Sequence, residues 1–131
     1  MNTNCPVITL DNGITIANWS SPHEFKFTTG EVLPACTPER VNAMSIDIDE
    51  TVVSNKKWDD IKIKTSIPDV VQDDLKILQD DEDIDIILVP FMVQSAMKSL
   101  LRMRYPYFFK LRVIRVADRV TKEIYPDKFC I

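Results

Sequence analysis

Hydrophobic and polar positions alternate along the first third of the chain. Val7-Ile8-Thr9-Leu10 and Ile14-Thr15-Ile16-Ala17 flank Asp11-Asn12-Gly13. Asn-Gly supplies the positive φ angles of a tight hairpin, so the pattern predicts two antiparallel strands. Glu24-Phe25-Lys26-Phe27 alternates again, and Thr28-Thr29-Gly30-Glu31 turns the chain into Val32-Leu33. Three short strands in a meander are expected here. Thr37-Pro38 then reads as the N-cap and first residue of a short helix reaching about Met44.

The period-2 stretches 46–53 and 61–64 predict two strands, each with one wet face, around a polar loop that carries Trp58. Ser66-Ile67-Pro68-Asp69 opens a helix over residues 68–79, with Val70, Val71, Leu75 and Leu78 as its apolar stripe. Ile84 to Val89 is a short apolar run ending at Pro90, expected to be a buried strand. A second main helix is predicted over residues 91–104, bounded by Pro106, with Lys98 and Arg102 sharing a basic edge. Residues 111–116 and 120–125 complete the pattern as strands. The expected architecture is one α+β domain over residues 1–131, an antiparallel sheet or meander with two main helices.

Composition narrows the class. At 131 residues and 45% apolar content the chain carries enough material for a single packed core. No apolar run approaches the roughly 20 residues of a membrane span. The N-terminus has neither the basic nor the apolar region of a secretory signal, and Cys5, Cys36 and Cys130 are too few and too widely spaced for a disulfide scaffold. A cytoplasmic protein with reduced thiols is the reading these features favour.

The net charge of −4 conceals a segregation. Residues 39–85 carry 14 acidic and 6 basic side chains, whereas residues 98–128 carry 9 basic and 3 acidic ones. A basic segment in an acidic protein suits a bounded anion such as a nucleotide better than a long nucleic acid. Alternatively, the two segments pair with each other, within or between chains.

Catalytic signals are sparse. One histidine, His23, precludes a His-rich metal site within one subunit. The stretch Asp47-Ile48-Asp49-Glu50-Thr51 matches DxDxT, the nucleophile motif of haloacid-dehalogenase-like phosphatases, but no βαβ unit follows it directly. An alternating strand with Asp47, Asp49 and Thr51 on its solvent face accounts for it more simply. The P-loop, GxGxxG, GxSxG and HExxH patterns are absent. The expectation is a protein that binds without catalysing and needs no cofactor and no metal.

The basic segment is the most informative stretch. Arg112, Arg115, Arg119 and Lys122 fall within eleven residues. Arg115 and Arg119 share a face as i and i+4 of a helix or as alternate pleats of a strand. Arginine grips phosphate bidentately and stacks on bases. Asp118, between them, is placed to hold either one, and acids of residues 69–85 are the structural alternative.

The N-terminal β meander, the helical middle and Arg115-Val116-Ala117-Asp118-Arg119 resemble phage-encoded anti-Thoeris sponge proteins, which sequester cyclic nucleotide immune signals. That resemblance implies a homo-oligomer capturing a cyclic nucleotide or cyclic ADP-ribose-type ligand without turnover. Arg115 and Arg119 are the residues it carries over, with Phe91 as the stacking aromatic; the family's asparagine has no clear counterpart. Lys98 and Arg102 would add charge from the helix, and oligomerisation would complete the site. The competing expectations are a protein–protein interaction inhibitor or accessory phage protein, and the DxDxT phosphatase.

Overall fold

The computed structural model describes residues 5–101 and 110–131. Its first hairpin joins β1 (Val7–Thr9) to β2 (Thr15–Asn18) in antiparallel register, Ile8 opposite Ile16. Gly13 takes φ +88° in the turn, and the Leu10 amide donates to the Ile14 carbonyl. The next pair, β3 (Phe25–Lys26) and β4 (Val32–Leu33), forms a separate two-stranded sheet rather than continuing a meander. Helix α1 (Pro38–Ala43) starts where expected: the Thr37 hydroxyl accepts from the Arg40 amide and Pro38 occupies the first turn.

Strands β5 (Asp47–Ser54) and β6 (Asp59–Ser66) pair along their full length as a two-stranded ribbon. Both of its faces are exposed, so the expectation of one covered face is corrected. Helix α2 (Asp69–Asp80) buries Val71, Leu75 and Leu78, while Val70 points to solvent at 56% exposure and leaves the predicted stripe. Strand β7 (Ile86–Leu88) leads through Pro90 into α3 (Phe91–Leu101), which buries Val93 and Met97. The predicted continuation of that helix to residue 104 lies outside the described residues.

Strand β8 (Leu111–Val116) follows, then β9 (Ile124–Cys130), which begins four residues later than the predicted strand at 120. The Asp118 side chain winds residues 118–122 into a turn, leaving no extended chain there. Main-sheet order is β1-β2-β7-β8-β9. The α+β class holds. The sheet itself is mixed: β7 runs parallel to β2 and to β8, and antiparallel pairs close both edges. Helix α3 provides the crossover that a parallel β7–β8 pair requires.

Parity sorts the sheet residues into two cores. Ala17, Ile87 and Leu111 pack with Trp19 under α2 and α3. Ile16, Leu88 and Ile124 pack with Phe27 and Leu33 under the β3–β4 hairpin on the other face. The central strands are therefore buried on both sides, which is why Ile86 to Val89 reads as a continuous apolar run. Among the described residues, no helix is long and apolar enough to cross a membrane.

Candidate functional site

The carboxyl ends of β2 and β7 lie side by side in parallel, and the chain leaves both as loops. Such ends are where open parallel sheets leave a crevice. Here the crevice is an apolar slot of about 230 Å³ between Ser20, Ser21 and Pro22 after β2, Val89 and Pro90 after β7, and Val113 and Ile114 of β8. Phe25 and Leu88 complete it.

Asn18, fully buried at the end of β2, fixes the slot's wall. Its amide nitrogen donates to the Pro34 carbonyl at 2.9 Å, and its side-chain oxygen accepts from the Ser21 amide at 3.0 Å. The Cys36 amide donates to the Ser21 carbonyl at 2.9 Å, and the Ser21 hydroxyl accepts from the His23 amide at 3.1 Å. The loop thus has most of its polar groups engaged, so its shape is set before any guest arrives.

A second, wider cleft of about 660 Å³ adjoins the slot and shares Phe25 and Ile114 with it. Its far wall is the β8–β9 turn. The Asp118 carboxylate accepts from the Val120 amide at 2.8 Å and the Thr121 amide at 3.3 Å. Lys122 adopts φ +61°, and its amide donates to the Asp118 carbonyl at 2.8 Å. This winding puts Arg119 and Lys122 on the cleft wall, opposite His23, Glu24 and Phe25. The near wall is held by the Thr28 amide, which donates to the Ile124 carbonyl at 3.0 Å and clamps the β3–β4 hairpin against the start of β9.

The predicted arginine pair is rearranged. Arg115 sits at a register irregularity near the end of β8, and Arg119 lies beyond that strand in the turn. Neither a helix nor a strand spans the two, so the shared-face argument does not apply. Only Arg119 lines the cleft. Both are exposed, and neither is ion-paired among the described residues. Asp118 spends its carboxylate on its own turn rather than on a guanidinium.

Phe91, the expected stacking aromatic, begins α3 at 69% exposure and lines neither cavity. Phe25 lines both cavities instead. Its alternating context, Glu24-Phe25-Lys26-Phe27, marks a strand but does not distinguish the cavity-lining ring from the buried one at Phe27. Lys98 belongs to α3, with its side chain outside what the structure describes, and Arg102 lies outside the described residues. Asp47, Asp49 and Thr51 share one face of the exposed ribbon, where Lys64 opposes Asp49 and Lys62 opposes Thr51. Among the described residues, no three His, Cys, Asp or Glu side chains converge to hold a metal ion.

Charge near the slot is handled by a group the sequence reading missed. Arg40 is buried, donating from Nε to the Trp19 carbonyl at 2.7 Å and pairing with Asp74 at 2.8 Å. The adjoining Cys36 thiol donates to the Asn18 carbonyl at 3.1 Å; burial pushes its pKa up, and the Arg40 charge only partly offsets this. The available signal was Asn18, a polar residue where the alternation set by Ile14 and Ile16 calls for an apolar one.

No protein-family model, no curated protein and no solved structure matches the chain.

Proposed function

We propose that the protein binds a small anionic nucleotide in this slot and cleft and holds it without cleaving it. The observation that carries the reading is the pairing of two chemistries in two adjoining depressions. Arg119 and Lys122, neither ion-paired among the described residues, line an open cleft that shares Phe25 and Ile114 with an apolar slot. Phosphate oxygens suit the cations, and a planar base suits the Phe25 ring and the apolar slot. Glu24, on the same cleft, offers carboxylate oxygens to sugar hydroxyls.

The resemblance to the anti-Thoeris sponge proteins, of whose arginine pair Arg119 alone lines the cleft, makes a cyclic nucleotide or cyclic ADP-ribose-type signal the proposed guest, and phage counter-defence the proposed role. Non-covalent capture asks for a pre-shaped pocket and an anion grip, and for no nucleophile or general base.

Calorimetric titration of the purified protein against a panel of cyclic nucleotides tests the proposal, followed by heat denaturation and analysis of the released ligand. Recovery of intact ligand is expected. Altered ligand would assign an enzyme, and absence of binding across the panel would reject the nucleotide reading.

A further inference from the structure

Two of the three thiols meet where the first hairpin ends. The Asn18 amide donates to the Pro6 carbonyl at 2.9 Å, which extends the β1–β2 pairing past Val7 and Ala17. In an antiparallel ladder the opposite residue returns an amide to its partner's carbonyl. Proline has no amide hydrogen to return. The Cys36 thiol takes that role, donating to the Asn18 carbonyl at 3.1 Å. Its sulfur therefore stands against the Asn18 peptide, beside the Cys5–Pro6 segment.

A second path joins the same two residues. One step further along, the pairing sets Cys5 opposite Trp19, and Cys5 packs against the core cluster that contains Trp19. The Trp19 carbonyl accepts from Arg40 Nε at 2.7 Å, and the Arg40 guanidinium also hydrogen-bonds the Cys36 thiol. The two thiols and the guanidinium bear on one another's charge. Cys130 stands apart, at the end of β9 on the opposite edge of the sheet, where its thiol donates to the Ile114 carbonyl. Access differs within the pair: Cys5 is half-buried, whereas Cys36 is 6% exposed. An incoming reagent meets Cys5 first.

We propose that Cys5 and Cys36 are a reversible redox pair, closed into a disulfide by exchange with a low-molecular-weight disulfide such as oxidised glutathione. The Cys5 thiolate attacks one sulfur of that disulfide. A Cys5–glutathione bond forms, the original S–S bond breaks, and one glutathione leaves and takes up the proton that Cys5 gave up. The Cys36 thiolate then attacks the Cys5 sulfur and expels the second glutathione, which takes up the Cys36 proton. Two protein thiols are oxidised, and one glutathione disulfide is reduced to two thiols. Arg40 favours the Cys36 thiolate in the second step, against the burial that keeps Cys36 from meeting the oxidant directly. The bond fastens β1, a three-residue edge strand, to the loop between β4 and α1. In a reducing compartment such a bond forms transiently and follows the oxidation state. This assignment goes beyond the ligand reading and is independent of it, because neither thiol lines the slot or the cleft.

The test incubates the reduced, folded, full-length chain with oxidised glutathione, quenches it in acid, alkylates the remaining thiols and maps the peptides by mass spectrometry. A Cys5–Cys36 linked peptide is expected, and dithiothreitol should remove it. Cys36→Ser should stop at a glutathione adduct on Cys5. Cys5→Ser should leave Cys36 a free thiol, and Cys130→Ser should close the bond as the wild type does. A wild type that holds the adduct on Cys5 without closing, one that keeps both thiols reduced, or a bond that forms only in urea would each overturn the proposal. No nucleotide is present, so these outcomes leave the ligand reading to its own titration.

Discussion

Arg40 grips Asp74 with both terminal nitrogens, at 3.2 and 2.8 Å, deep beside the indole of Trp19. The same carboxylate accepts from the Trp19 indole nitrogen at 2.8 Å. The cluster ties α1 to α2 and to the residue that follows β2, where the wall of the slot begins. Burial opposes the guanidinium charge, but the hydrogen bonds and charge of Asp74 outweigh it and hold the Arg40 pKa above its ordinary value. Arg40 therefore stays ionised throughout the working pH range.

Removing one partner of this pair leaves a buried charge unanswered. Arg40→Ala or Asp74→Ala should each cost about 3–5 kcal/mol of unfolding free energy. Replacing both with apolar residues, as in Arg40→Met with Asp74→Leu, should cost clearly less than the two single changes added together. Urea denaturation across the double-mutant cycle measures this. Additive losses would show that the two side chains act separately.

Asn18 predicts a different signature. Its side chain bonds to the backbone of the loop that forms the slot, so Asn18→Ala strands the Pro34 carbonyl and the Ser21 amide. A loss of about 1–2 kcal/mol is expected for those part-buried groups. Nucleotide affinity should fall with it, because the wall loses its fixed shape. A variant that loses stability while retaining full affinity would remove Asn18 from the account of the site.

The elements and their order were legible because they depend on local pattern. Pro38 and the Thr37 cap announced α1, and Asn12-Gly13 announced the first hairpin. Partner choice was not legible, since period 2 says that a segment is a strand but not what it pairs with or what covers it. The run Ile84 to Val89 thus showed burial without revealing that β7 pairs in parallel on both sides. For the ribbon, the alternation of Ile48, Glu50 and Val52 predicted a covered face, and those residues are exposed. The arginine pair failed for a local reason: Asp118 caps the Val120 and Thr121 amides and ends the regular geometry on which any spacing argument rests.

The Cys36 thiol provides a pH test. Burial raises its folded pKa, so the fold favours the neutral thiol, which donates to the Asn18 carbonyl. Stability from this group is fully present below the unfolded thiol value of about 8.5 and is lost as pH rises through the folded value above it. Thermal melts of the wild type should therefore fall in the alkaline range, and Cys36→Ala should flatten that fall. Thiol-labelling kinetics at neutral pH provide a second check: Cys36 should react far more slowly than an exposed thiol. Rapid labelling of Cys36 in the folded protein would contradict its placement.

The ligand reading makes an asymmetric prediction about the two arginines. Arg119 lines the cleft with Lys122, whereas Arg115 does not. A hydrogen bond to a charged group is worth roughly 1.5–3 kcal/mol, so Arg119→Ala should weaken nucleotide binding roughly ten- to hundredfold. Lys122→Ala should act in the same direction and more weakly, because an ammonium offers a point charge where a guanidinium offers a planar fork. Arg115→Ala should leave the calorimetric affinity within about twofold of the wild type, a change of less than roughly 0.5 kcal/mol. Neither arginine is ion-paired among the described residues, so both variants should melt within about 0.5 kcal/mol of the parent. Equal losses of affinity at Arg115 and Arg119 would restore the paired-arginine site expected from the sequence and overturn the cleft assignment.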